Sequence, residues 1–291
     1  MKKIKDYISL MRVKHYIKNI LIFFPLVFSG NLFNVKLLEK SFFAFIAFSL
    51  AASLVYILND IHDCEKDKLH PTKCQRPIAS GRVSKKEAYC LSTMLLILVI
   101  LINELLVGTK VTLLALILFY IFINIIYSMG GIKDLPIWDL AILTLGYVIR
   151  VYYGANTIDV EVSIWMSSTV IFMATFLGLG KRRNEIKFQG SKTRKVLSKY
   201  TVGFLDKNMY VCLGMTLASY TLWCKEMAIQ SNSTLCWILC VGLALLICMR
   251  YSMLVEREQE GDPISVLFGD KEIIILVFVW GCIMLLTLYW L

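Results

Sequence analysis

Long apolar runs broken by short charged stretches set the pattern of this chain. They predict membrane helices near Asn19–Phe33, Ser41–Asn59, Ala88–Leu105, Val111–Tyr127, Trp138–Tyr153, Ile164–Gly180, Asn208–Trp223, Leu235–Tyr251 and Glu272–Tyr289. Pro25 is expected to bend the first of these. Ahead of it, Met1–Lys18 is mildly amphipathic and carries Lys2, Lys3, Lys5, Arg12, Lys14 and Lys18. No small-residue cleavage site follows this basic start, so the first apolar run is expected to stay as a membrane helix. No short-period repeat is visible, but charged motifs follow the second and the sixth runs, a coarse internal symmetry.

Composition agrees with the pattern. Hydrophobic residues make up 58% of the 291 and charged residues 18%, far from a soluble protein's balance. With nine spans, 26 of the 31 Lys and Arg fall on one side, four on the other, and Arg150 inside a span. That split makes the net charge of +10 a statement about topology rather than nucleic-acid binding. It places the N-terminus and the charged loops in the cytoplasm, the C-terminus outside, and the chain in the inner membrane. Several of the nine cysteines, including Cys212, Cys240, Cys248 and Cys282, sit inside apolar runs and read as buried thiols, not as disulfides or zinc ligands.

The stretch Tyr56–Arg82, YILNDIHDCEKDKLHPTKCQRPIASGR, carries the chemistry. Asn59, Asp63 and Asp67 recur at i, i+4 and i+8 with Asp60 beside them, so a helix would gather them on one face. Such a carboxylate cluster repels itself unless a cation neutralises it. Oxygen ligands suit a hard ion such as Mg²⁺, which takes one or two carboxylates plus phosphate oxygens. The plainer reading, a solvated acidic helix end, fits less well with acids spaced for one face where a span meets water. Arg150 is a second candidate, because an ionisable residue inside a span is functional by default; snorkelling to an interface is its plainer reading.

These residues resemble a known family. NDIHDCEKD is similar to the N-D-x-x-D-x-x-x-D signature of UbiA-type intramembrane prenyltransferases, and HPTKCQRPIASG resembles the decaprenyl-phosphate phosphoribosyltransferase branch. After the sixth run, where quinone-pathway enzymes of the family carry a second aspartate motif, this chain reads GLGKRRNEIKFQG, similar to the K-R-x-x-E of that branch. RVKHYIKN resembles the family's opening R-x-x-x-W-x-K-N with Tyr16 in the tryptophan's place. YSMGGIKD keeps a Tyr-Ser pair, and GDPISVLFGDK is similar to a family segment ending in Asp270-Lys271.

The resemblance implies one all-α integral-membrane domain over residues 1–291, with nine transmembrane helices around a central cavity. It implies transfer of 5-phosphoribosyl from 5-phosphoribosyl 1-diphosphate to a polyprenyl phosphate. Asn59, Asp60, Asp63 and Asp67 would hold Mg²⁺ on the donor, the three aspartates being the catalytic set. Lys73 and Arg76 suit the donor phosphates. Lys181 and Arg182, with Glu185 one turn on, suit the acceptor phosphate, since Lys and Arg bind a phosphate oxyanion directly where a carboxylate pair would need a second metal. Lys192, Arg194, Lys195 and Lys199 read as membrane-surface charge on the loop that follows. Lys18, Asn19, Tyr127, Lys133 and Arg150 are the remaining substrate-binding candidates. Membrane lipid surrounds the protein, and the oligomeric state is left open. Prenyl transfer to an aromatic acceptor is the rival chemistry, and a lipid transporter the rival class.

Overall fold

A computed structural model describes residues 2–70, 72–189, 195–231, 233–257 and 263–290. Among them every regular element is helical. Pro71 of the HPTK stretch, Lys192 and Arg194 of the basic loop, and Gly261 and Asp262 lie outside the described residues. The chain packs as two compact units, Met1–Lys133 with Ile149–Glu161, and Asp134–Val148 with Val162–Leu291.

The first unit is built on helix α3, Val35–His62. Asn34 caps its start by accepting from the Leu37 amide. Buried Ser41, Ala44, Ala47, Ser49, Ala51 and Ser53 give it a surface of small side chains against which neighbours can close. Helix α1, Lys2–Met11, precedes it, as does a 3₁₀ segment, Val13–Phe23. The short α2, Phe24–Phe28, follows that segment. After α3 come α4, Cys64–Lys68, then α5, Lys85–Ile102, and α6, Val111–Met129. Ser84 and Glu87 form a reciprocal cap at the start of α5, which runs on as a π-helical turn, Asn103–Val107. Asn103 is fully buried there and accepts from Tyr153. In this unit Gly154 lies against the 3₁₀ segment: a Cβ at that position would stand 2.1 Å from the Ile22 carbonyl oxygen, so only glycine permits the approach.

The second unit holds α8, Ile164–Asn184, packed along α9, Val202–Ser231, with α10, Thr234–Arg257, beside α9. A short α11, Pro263–Gly269, leads to α12, Lys271–Tyr289, which packs on α10. Its core gathers Phe176, Leu179, Val196, Leu205, Met209 and Val255. Helix α7, Trp138–Ile158, contributes its first half to this unit and its second half to the other.

Among the described residues six helical stretches are long and apolar enough to cross a membrane: Val35–His62, Lys85–Val107, Val111–Met129, Ile164–Phe188, Thr234–Glu256 and Lys271–Tyr289. Each overlaps an expected span. The other three expected spans are helical but differ from that criterion. Two lie in α7 and α9, which are long enough but more polar, with Asp139 and Arg150 in one and Asp206, Lys207, Lys225 and Glu226 in the other. The third is corrected by the structure: Asn19–Phe33 is not one bent helix but 3₁₀ turns followed by α2, with Pro25 in the first turn of α2. Pro25 has no N–H to continue the run of 3₁₀ bonds, and it sits where those turns give way to α2.

Candidate active site

The acid cluster forms where α3 gives way to α4. Asp63 terminates α3 with ψ near 4°, yet its amide still donates to the Asn59 carbonyl at 2.9 Å, and the Asp67 amide to the Asp63 carbonyl at 2.8 Å. The backbone therefore stays close to helical through the motif. At about 100° per residue, Asp60 and Asp67 come within about 20° of each other, while Asn59 and Asp63 lie about 40° apart, their midpoint about 70° from that of the first pair. The side chains follow that division.

Arg76 binds the first pair with one nitrogen, Nη1, which donates to Asp60 Oδ1 at 2.9 Å and to Asp67 Oδ2 at 2.7 Å. Asp60 and Asp67 are 3% and 5% exposed, so this charge is neutralised inside the protein. Arg12 completes it, donating from Nη2 to Asp60 Oδ1 at 2.5 Å with its guanidinium 4.7 Å from the Tyr56 ring centre. The second pair turns to the end of α6: Ser128 donates to Asn59 Oδ1, and Lys133 Nζ donates to both Asp63 oxygens at 3.0 Å. Tyr127, half-buried, stands beside Ser128.

Asn59 and Asp63 thus have protein partners of their own, apart from the Asp60–Asp67 pair. Among the described residues no three acidic, His or Cys side chains gather as one cation site. The cause is the helical drift: i, i+4 and i+8 advance by about 40° per step, which separates Asn59 from Asp67. The residues still fit a hard cation in a reduced form. Asp60 and Asp67 lie close enough to share a single nitrogen, and two carboxylates with substrate phosphate oxygens are an ordinary Mg²⁺ set.

The loop after α4 is shaped by His70, whose Nδ1 accepts from the amides of Thr72 and Lys73 at 3.3 and 3.4 Å. Burial, aided by the Lys73 charge, holds His70 below its ordinary value, which matches its role as an acceptor. Lys73, half-buried, opens the 3₁₀ turn that leads to Arg76.

Asn19 and Arg150 meet in a buried node of the first unit. Arg150 Nε donates to Asn19 Oδ1 at 2.7 Å and its Nη2 to Tyr120 at 3.1 Å, while Asn19 donates to Ser49 at 2.9 Å. The guanidinium lies 4.9 Å from the ring centres of Phe48 and Tyr120. Arg150 is 6% exposed, so it is enclosed and not snorkelling. Lys18 precedes this node on the 3₁₀ segment and is half-buried.

In the second unit the K-R-x-x-E motif ends α8. Arg182 donates from Nε to Asp139 Oδ2 at 2.8 Å and from Nη1 to Glu185 Oε2 at 2.7 Å. Tyr200 donates to the other Asp139 oxygen at 2.7 Å and accepts from the Ile137 amide at 2.5 Å. Burial, with Asp139 alongside, pushes the Tyr200 phenol up to about 12. Arg182 is 2% exposed, and two carboxylates hold it inside the unit. Glu185 accepts from Arg182, and Lys181 is half-buried at the same helix end. Near the C-terminus Asp270 caps α12, accepting from the Ile273 amide at 2.9 Å, and pairs with Arg250 at 2.7 Å.

Sequence reasoning passed over Arg12 and Asp139. Arg12 had a signal, the first residue of RVKHYIKN. Asp139 had none, since a lone acid at a span's start looks like surface charge.

Fold and chemistry together define a polytopic helical membrane protein with a carboxylate–arginine cluster at the end of an enclosed span. The chain belongs to the UbiA prenyltransferase family, whose pattern it matches over residues 23–269, and it is a transferase. It is 30% identical to a decaprenyl-phosphate phosphoribosyltransferase of Corynebacterium glutamicum, over 97% of this chain and 86% of the relative. To the enzyme of that name from Mycolicibacterium smegmatis it is 28% identical, over 95% and 90%. Its fold is similar to that of a UbiA homolog from Archaeoglobus fulgidus bound to GPP and Mg²⁺, with a TM-score of 0.70 at 17% identity, covering 97% and 96% of the two chains.

Proposed function

We propose that this protein transfers the 5-phosphoribosyl group of 5-phosphoribosyl 1-diphosphate to a polyprenyl phosphate. An oxygen of the lipid phosphate attacks C1 of the ribose, the C1–O bond to diphosphate breaks, and diphosphate leaves. The near-full-length likeness to relatives named for this reaction carries the reading. It is supported by a basic K-R-x-x-E where the aromatic prenyltransferases have acids.

Asp60 and Asp67 would hold Mg²⁺, and when bound the ion neutralises negative charge on the leaving diphosphate. Arg76 is 26% exposed and already faces both carboxylates, so it is suited to a diphosphate oxygen at the same place. Lys73 and Lys133, both half-buried beside this cluster, add donors for the donor phosphates. Lys181 takes the phosphate of the acceptor. That phosphate is already an anion, so its attack needs no strong general base. The protein sits in the inner membrane with the charged loops on the cytoplasmic side, as the charge split favours. Cysteine labelling that put Lys66–Lys86 and Lys181–Lys207 on opposite faces would refute this topology.

The test is incubation of the purified protein with polyprenyl phosphate and labelled phosphoribosyl diphosphate, followed by lipid extraction. A labelled lipid is expected. A prenylated 4-hydroxybenzoate formed from polyprenyl diphosphate, with no labelled lipid, would replace this reading with the aromatic one.

A further inference from the structure

Helix α1 differs from every span. Its ten residues, KKIKDYISLM, include three lysines and one acid, and it has only scattered apolar positions. One side is fixed to the first unit. Leu10 is fully buried, Lys3 pairs with Glu87 at 2.9 Å, Arg82 with Asp6 at 2.8 Å, and Ser53 donates to the Met11 carbonyl at 2.8 Å. Glu87 lies in the first turn of α5 and Arg82 in the loop before it, so α1 rests at the charged end of a span, at the level where a bilayer meets water.

The other side carries Ile4 and Ile8, one turn apart and 62% and 50% exposed. Lys5 and, just beyond the helix, Lys14 are exposed as well. Two isoleucines are too small a patch for a stable contact with a second protein, which needs about 800 Å² per partner. Apolar side chains flanked by lysines on a helix of low overall hydrophobicity match a headgroup layer, and the lysines favour an anionic one.

The chain leaves α1 through Arg12, whose left-handed backbone, φ 50°, redirects it into the 3₁₀ segment. The Arg12 guanidinium then reaches Asp60. We infer that α1 is an interfacial helix seated on anionic phospholipid through Ile4, Ile8, Lys5 and Lys14, and that this seating holds Arg12 on Asp60.

The test uses the full-length protein in nanodiscs of phosphatidylcholine, alone or with about one third phosphatidylglycerol, with a photo-crosslinking amino acid at Ile4, Ile8 or the loop residue Thr72. Lipid adducts are expected at the two isoleucines and not at Thr72. The ratio of phosphatidylglycerol to phosphatidylcholine adducts should exceed that ratio in the disc, and this ratio should fall by up to about fivefold for each of Lys5→Gln and Lys14→Gln. Hydrogen exchange adds a second readout: Ile8→Glu should speed exchange at the amides of residues 9–13 without changing the middle of α3. Adducts to a second copy of the chain, adducts in proportion to disc composition, or unchanged exchange in Ile8→Glu would each overturn the inference.

Discussion

Arg76 in the first unit and Arg182 in the second each hold two carboxylates at the end of a long helix, yet they are built differently. Arg76 arrives from a loop, serves Asp60 and Asp67 with a single nitrogen, and is 26% exposed. Arg182 stands on the helix itself, gives a separate nitrogen to Asp139 and to Glu185, and is 2% exposed. Tyr200 satisfies the remaining Asp139 oxygen, so the second cluster closes on itself. The first keeps a water-facing side, where Arg76 is partly exposed. A charged motif at a helix end becomes a site when its partners can be replaced by ligand, and a brace when they cannot.

The largest effect expected from this contrast is on stability. Arg182→Ala removes the cation paired with buried Asp139, a loss of about 3–5 kcal/mol. Thermal unfolding in detergent should show it as a clear fall in Tm, and Arg76→Ala, which leaves Asp60 paired with Arg12, should show a smaller one. Equal losses for the two variants would erase the distinction between brace and site.

Turnover should reverse the order. Asp67→Asn removes one of the two carboxylates that Arg76 bridges and should lower kcat by about 10²–10³-fold, the usual cost of losing a group that stabilises transition-state charge. Chelation with EDTA should stop the reaction and added Mg²⁺ restore it. Full activity in chelator would remove the metal from the first cluster.

The motif was legible in the sequence, but its partition was not. N-D-x-x-D-x-x-x-D identifies the residues, and the i, i+4, i+8 spacing suggests one face. The heptad separation of Asp60 and Asp67 keeps them closer than that spacing does, and it is this pair that Arg76 selects. Arg12 becomes visible only when α1 and α3 are packed, since 48 residues separate it from Asp60. Arg182 shows the opposite limit: its sequence context reads as a phosphate ligand, and only its burial against Asp139 shows a brace. The apolar pattern located the long helices because membrane insertion depends on composition. It misread Asn19–Phe33, where local proline and glycine geometry decides, with Gly30 at φ 75° closing the segment.

In the second unit the proposed ligand of the acceptor phosphate is Lys181. Lys181→Ala should weaken acceptor binding by about 1.5–3 kcal/mol, which is roughly a 10–150-fold rise in the apparent KM for polyprenyl phosphate. The KM for the sugar donor should change less. The opposite split would assign Lys181 to the donor.

The smallest effect concerns Asp270, which the family resemblance marks and the structure makes a brace. The Arg250 hydrogen bond, then the Ile273 amide, holds its carboxyl below the ordinary carboxylate range. A depressed carboxyl favours the folded state above its unfolded value, and that contribution disappears as pH falls through the depressed folded value. The wild-type Tm should therefore drop on acidification through the region below the ordinary Asp range, and Asp270→Asn should flatten part of that drop. Asparagine still accepts from the Ile273 amide as a helix cap, so the Asp270→Asn Tm near neutral pH should fall only slightly. Arg250 would lose one carboxylate but keep Glu272, 3.0 Å away. If Asp270→Asn instead left the Tm profile unchanged and lowered turnover at neutral pH, Asp270 would belong with Asp67 among the exchangeable groups, and the second unit would hold a site as well as braces.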